Sequence, residues 1–186
     1  MTTVPVLVIT GSVGVGKTTV AMAASALLDD AGIPHALIDL DWLRWCHPSP
    51  ENDPFQVALG LRNLAALYAE YCAAGARYML LVDVVERQEA DVAAYREALP
   101  GADVLVVRLR AELPTILRRL EGRDTGAALE WSRNRAAELS ELQERRSIGD
   151  LVMDTDERAV TDIAGEVLTR AGWLSADSSH GDAGAG

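Results

Sequence analysis

One run of residues could do chemistry without help from any other part of the chain. Gly11-Ser12-Val13-Gly14-Val15-Gly16-Lys17-Thr18 reads G-x-x-x-x-G-K-[ST] without a gap. Glycines at these places let backbone N–H groups turn inward and cradle phosphate oxygens, which side chains would otherwise block. A helix opening near Lys17 adds its positive dipole end to the same anion site. The ammonium of Lys17 suits the outer phosphates of a nucleoside triphosphate such as ATP, and the Thr18 hydroxyl suits a Mg²⁺ ion. Thr19 continues the loop into the helix. Of the 17 lysines and arginines, Lys17 is the single lysine. A compact charge on a flexible stem is kept where a planar guanidinium would be a poor substitute.

Other polar residues stand at the ends of apolar runs. Asp39-Leu40-Asp41 follows the run His35–Asp39, with Arg44 one helical turn further on. Asp83 closes Met79-Leu80-Leu81-Val82-Asp83, with Glu86 nearby, and Arg62-Asn63 falls early in a long helical pattern. Arg119-Leu120-Glu121-Gly122-Arg123 sets two arginines four apart, the spacing of one helix face. Arg133 and Arg135 could enter a lid, but read first as a solvated helix face. Trp42 and Trp45, beside the acidic pair, could wall a pocket or fill a core, and His47 reads as a loop residue. No N-K-x-D base-reading motif and no ABC-type signature is present.

These residues must be positioned by something, and the periodicities say what. Val6–Thr10, His35–Asp39, Tyr78–Val84, Asp103–Leu109 and Leu151–Asp154 are short apolar runs, as strands covered on both faces are. Helical patterns lie between them: Thr18–Ala31 stopped at Gly32, Phe55–Ala74 stopped at Gly75, Ala90–Leu99, one opening at Pro114, Leu129–Arg146 and Ala159–Ala171. The three prolines in Cys46–Pro54 exclude regular structure. Strands alternating with helices predict one parallel sheet with helices on both faces. In such sheets ligands sit beyond the carboxyl ends of the strands.

The strand-bound phosphate loop together with the Asp39–Asp41 pair resembles the P-loop small-molecule kinases: shikimate kinase, gluconate kinase, adenylylsulfate kinase and chloramphenicol phosphotransferase. The resemblance implies a three-layer P-loop NTPase fold, its five-stranded parallel sheet in the order 2-3-1-4-5. By position, Asp39 would hold the hydration shell of Mg²⁺ and Asp41 would orient or deprotonate the acceptor hydroxyl. Arg119 and Arg123 match the R-x-x-x-R at the lid edge of adenylate and gluconate kinases, where the first packs on adenine and the second meets the phosphates. Arg62 falls where adenylylsulfate kinase carries a substrate-binding arginine. Arg44 and Asp83 join the expected acceptor side, Asp83 either there or as a Walker B-type carboxylate. The backbone around Asp154-Thr155-Asp156 is the expected base site. The serine-proline-tyrosine and aspartate-proline-lysine-glycine signatures of adenylylsulfate kinase are missing. So are the glycine-glycine turn of shikimate kinase and the histidine-proline of gluconate kinase, which leaves the acceptor open.

The 186 residues suffice for one domain, expected over residues 1–174 with a lid near 119–128 and a small polar, disordered tail at 175–186. The formal charge of −11 without a basic run argues against nucleic acid as a partner, while a small anionic substrate stays open, because a few arginines in a cleft can reverse the local field. No run is long enough to cross a membrane, and Cys46 and Cys72 lack ligand spacing, so a cytoplasmic monomer or homodimer is expected. The expected activity is ATP- and Mg²⁺-dependent transfer of a phosphoryl group to a hydroxyl of a small-molecule acceptor. A nucleotide or nucleoside kinase, with Trp42, Trp45 and Arg62 clamping the acceptor, is one alternative. A nucleotide-binding regulatory module without an acceptor is another.

Overall fold

A computed structural model describes residues 3–175 of the chain; all but the first residue of the expected tail lies outside them. The elements run β1 (Val4–Thr10), α1 (Lys17–Asp30), β2 (His35–Asp39), α2 (Leu40–Leu43), α3 (Val57–Ala73), β3 (Tyr78–Val82) and α4 (Gln88–Ala98). Then follow β4 (Ala102–Arg110), α5 (Leu113–Glu121), α6 (Gly126–Arg145), β5 (Leu151–Asp154) and α7 (Val160–Arg170). The strands form one sheet in the order β2-β3-β1-β4-β5, and every pair is parallel.

The alternation of side chains along each strand divides the core in two. Leu7 and Ile9 of β1, Leu80 of β3 and Leu109 of β4 face α1 and α7. Val6 and Val8, with Met79, Leu81 and Val106, face α3 and α4 on the other side. Because β1 is central and covered twice, both of its faces are apolar. Each fully buried leucine or isoleucine there is worth about 1.5–3 kcal/mol.

Most boundaries differ from the expected ones by a residue or two, but α2 was not foreseen. It exists because the Asp39 carboxylate accepts the backbone N–H of Asp41 at 3.1 Å, capping a turn that periodicity cannot detect in four residues. The segment 119–128 is also more regular than a lid drawn as loop. Arg119 lies inside α5, α6 begins at Gly126, and only a tight corner at 122–125 separates the two helices. Pro114 stands in the first turn of α5, as expected.

Register decides what meets at the carboxyl edge. Ile9 pairs with Val82, and Val82 with Asp39, so the next residues of β1, β2 and β3 emerge side by side. The phosphate loop, the acidic pair and Asp83 therefore converge although they are far apart in sequence.

Candidate active site

The loop after β1 reaches α1 through Gly16, whose φ of 104° is a left-handed conformation that a side chain would strain. A Cβ there would meet no protein atom within 4 Å, so the backbone at Gly16 presents an unobstructed face. Lys17 arches back over the loop and donates from Nζ to the carbonyls of Gly11 (3.1 Å) and Ser12 (3.2 Å). Burial against the loop lowers the pKa of its ammonium, and the carboxylates of Asp41, Asp83 and Asp39 oppose that shift. Ser12 and Val15 are buried beneath the loop, whereas Val13, Gly14, Gly16, Lys17, Thr18 and Thr19 line a cleft of about 810 Å³.

At the opening of α1, the Thr18 hydroxyl donates to Asp39 Oδ2 at 2.9 Å. A hydroxyl and a carboxylate held together beside a phosphate loop are hard oxygen donors, the set that suits Mg²⁺. The loop and this pair fit a magnesium–triphosphate. Asp41 lines the same cleft, and among the described residues its carboxylate has no hydrogen-bond partner. It is the one member of the acidic pair free to act on something else.

Arg44 and Asp83, both expected on the acceptor side, both line the cleft and are engaged with each other. Arg44 donates to Asp83 Oδ2 at 2.7 Å, Tyr95 donates to the same oxygen at 2.6 Å, and the Val84 N–H reaches Oδ1 at 2.7 Å. Burial raises the Asp83 pKa, and Arg44 is the chief influence against it. Arg44 reaches Asp83 across α3 at Gly60, where a Cβ would come within 2.7 Å of Arg44 Cγ. The cluster braces the floor of the cleft. Replacing Arg44 by Ala leaves Asp83 buried beside only neutral donors and is expected to cost about 3 kcal/mol in urea unfolding. Asp83→Asn in the same chain should restore part of that loss.

Arg119 and Arg123 both line the cleft, but they do not share a helix face, because α5 ends at Glu121. The Arg119 guanidinium donates to the carbonyl of Val15 (3.0 Å) and to the hydroxyl (3.1 Å) and carbonyl (3.0 Å) of Thr155. It ties the phosphate loop to the turn after β5, next to the expected base site. Nearby, Asp154 is paired with Arg110, and Asp156 accepts the N–H of Glu112.

Arg123 makes a two-bond pair with its neighbour Asp124, both contacts at 2.8 Å, and Ser132 donates to Asp124 at 2.6 Å. These bonds, Arg123 first, pull the Asp124 carboxyl from 3.8 down to about 2. A carboxylate depressed on folding stabilises the fold above its ordinary pKa, and that contribution is lost as the pH falls through the folded value. The corner at 122–125 should therefore stay tied at pH 4 and loosen towards pH 2. Carboxyl NMR titration should place Asp124 near 2, and Arg123→Ala should move it back toward 3.8.

Arg62 does not line the cleft. Val57 and Leu61 of α3 do, and Arg62, one position on, is rotated about 100° away and exposed. Trp42 and Trp45 are neither core nor wall: they are 68% and 78% exposed and stack on each other at 5.2 Å. The rest of the cleft wall came from elsewhere, and it includes Arg135, which was expected on a solvated face. Trp131, Arg135 and Leu139 present one four-residue-spaced face of α6, and Phe55 stands just before α3. Arg135 pairs with Glu86 and with Glu138 (2.9 Å), and its guanidinium lies 5.7 Å from the Phe55 ring centre. The four-residue spacing was readable in the sequence, but nothing local said which face of α6 met the cleft.

A scan against protein-family models finds no match, nor does a sequence search of curated proteins. Solved structures do match over nearly the whole chain. The tunicamycin resistance protein of Deinococcus radiodurans superimposes with a TM-score of 0.65 at 20% identity, covering 92% of this chain and 97% of that one. A gluconokinase from Sinorhizobium meliloti gives 0.61 at 19% identity, covering 97% and 100%. The APS kinase of Mycobacterium tuberculosis, in complex with AMPPNP and APS, gives 0.60 at 24% identity, covering 90% and 97%. Among the described residues no helix is long and apolar enough to cross a membrane. With its sheet order, its phosphate loop and these neighbours, the chain has the fold of the P-loop small-molecule kinases.

Proposed function

We propose that the protein is an ATP- and Mg²⁺-dependent phosphotransferase that moves the terminal phosphoryl group to a hydroxyl of a small molecule. The observation that carries this reading is the placement of a carboxylate, Asp41, without a hydrogen-bond partner among the described residues, in the same cleft as the phosphate loop and Thr18, whose hydroxyl is bonded to Asp39 behind it. Phosphoryl transfer asks mainly for positioning and charge neutralisation, plus one group to take the hydroxyl proton. Lys17 and the loop N–H groups hold and neutralise the phosphates. Thr18 and Asp39 would hold the metal, which when bound offsets charge on the phosphate oxygens. Asp41 accepts the proton of the acceptor hydroxyl, and Arg123 faces the cleft from the corner above it.

The nucleoside kinase alternative relied on a clamp of Trp42, Trp45 and Arg62, and none of the three lines the cleft. The test is transfer from [γ-³²P]ATP with Mg²⁺ to pooled hydroxylated compounds. Labelled product that disappears in Asp41→Asn is the expected result. Tight ATP binding with no labelled acceptor would favour the regulatory module instead.

A further inference from the structure

The peptide of Val85 is buried but belongs to no helix or strand, since β3 ends at Val82 and α4 begins at Gln88. Buried backbone groups need partners, and outside regular structure side chains have to supply them. Two residues from distant parts of the chain do so here. The Val85 N–H donates to the Thr10 hydroxyl at 2.8 Å, and the Val85 carbonyl accepts from Gln143 Nε2 at 2.9 Å. The same Nε2 lies 3.5 Å from the Thr10 hydroxyl, which closes a triangle. All three residues are at most 1% exposed.

Each corner of the triangle belongs to a different part of the site. Thr10 is the last residue of β1, directly before the phosphate loop. Val85 stands among Asp83, Val84, Glu86 and Arg87, all of which line the cleft. Gln143 continues the four-residue spacing by which α6 presents Trp131, Arg135 and Leu139 to the same cleft. The bond from the Asp83 N–H to the Ile9 carbonyl (3.2 Å) carries the parallel ladder one residue past β3, and beyond it the Thr10 hydroxyl takes the place of a ladder carbonyl. Arg135 and Arg146 add bonds to the Glu86 carboxylate and carbonyl, the second at 2.9 Å, nearer to solvent.

We infer that Gln143 is a positioning residue for phosphoryl transfer: with Thr10, it holds the wall at residues 84–87 at a fixed distance from the phosphate loop. The inference rests on the phosphotransferase reading. Neither Gln143 nor Thr10 lines the cleft, so both act through the Val85 peptide. Without the Gln143 amide the Val85 carbonyl is left buried and unmet, and the segment relieves this by moving toward water. Glu86 and Arg87 move with it. A displacement near 1 Å is enough to slow a reaction that depends on placement, whereas the nucleotide is held by the phosphate loop and α1.

The [γ-³²P]ATP assay with pooled hydroxylated compounds yields two products, labelled acceptor and labelled inorganic phosphate, and their ratio reports how well the acceptor is placed. Water attacks without being positioned by the wall, so hydrolysis is an internal reference. A variant that is merely less folded loses both products in proportion. Gln143→Met keeps the length of the side chain and loses its donor; it is expected to lower the ratio about tenfold, with ADP affinity by calorimetry within about twofold of the parent. Thr10→Val should do the same, Thr10→Ser should keep the parent ratio, and the double variant should be no worse than either single one, because both act on one peptide. Thr10→Val preserves volume and carries the test if Gln143→Met does not fold. An unchanged ratio overturns the inference, as does a proportional fall of both products or a matching loss of ADP affinity. A parent protein that binds ATP and labels nothing in the pool marks a different failure, that of the phosphotransferase reading, and the inference falls with it.

Discussion

Replacing Lys17 by Ala is expected to lower phosphoryl transfer about a thousandfold, close to 4 kcal/mol of lost transition-state stabilisation. The ammonium is the one cation that the phosphate loop itself contributes, and among the described residues it donates to the carbonyls of Gly11 and Ser12. Both carbonyls belong to the loop, so the core of the domain does not depend on them. The melting temperature without nucleotide should stay within a few degrees of the parent, and ATP should no longer raise it. Lys17→Arg should not rescue, because a planar guanidinium cannot occupy the space of a compact ammonium arched over the loop. Unchanged turnover in Lys17→Ala would remove the phosphate loop from the chemistry altogether.

Asp41→Asn should cost a comparable factor, about 10²–10³ in kcat, but by a different route. Asn keeps the shape of Asp and loses the ability to take a proton. The backbone N–H of residue 41 still reaches Asp39, so α2 remains capped and the Thr18–Asp39 bond is left in place. ATP binding measured calorimetrically should therefore be retained while transfer collapses. If Asp41→Asn instead weakened ATP binding and spared kcat, the carboxylate would belong to the nucleotide side of the cleft. The two variants together separate binding of the donor from handling of the acceptor. That is the division the structure suggests, with loop and α1 on one side and Asp41 on the other.

The neighbouring kinases set a useful contrast. One is a gluconokinase and another holds APS in its crystal. At 19% and 24% identity they share the architecture and carry no claim on the acceptor of this chain. In the present cleft Arg44, Arg123 and Arg135 are paired with carboxylates, whereas Arg119 is held by carbonyl and hydroxyl oxygens. The specificity of such a fold lies in which side chains the helices turn toward a common phosphate site, and here α6 turns Trp131 and Arg135.

The phosphate loop was fully legible in the sequence, because its chemistry is local: eight consecutive residues, a strand before them and a helix after. The parallel sheet was legible for a similar reason, since continuous apolar runs such as Val6–Thr10 and Tyr78–Val82 admit only strands buried on both faces. The bond between Thr18 and Asp39 was foreshadowed by motif position and realised by strand register.

Everything that depends on which way a helix is turned was decided by tertiary structure. Arg44 lines the cleft, but its partner there, Asp83, lies 39 residues away and is reached past residue 60 because that residue is glycine. Arg62 was read toward the substrate and points to solvent, a rotation of one residue on α3. Trp131 and Phe55 looked unremarkable, and packing of α6 against α5 and the approach of the loop before α3 bring them to one cleft. Local sequence sets the backbone path of a motif through short-range sterics and hydrogen bonds. The pairing of charges and the choice of pocket walls are set by distant packing, which no single segment encodes.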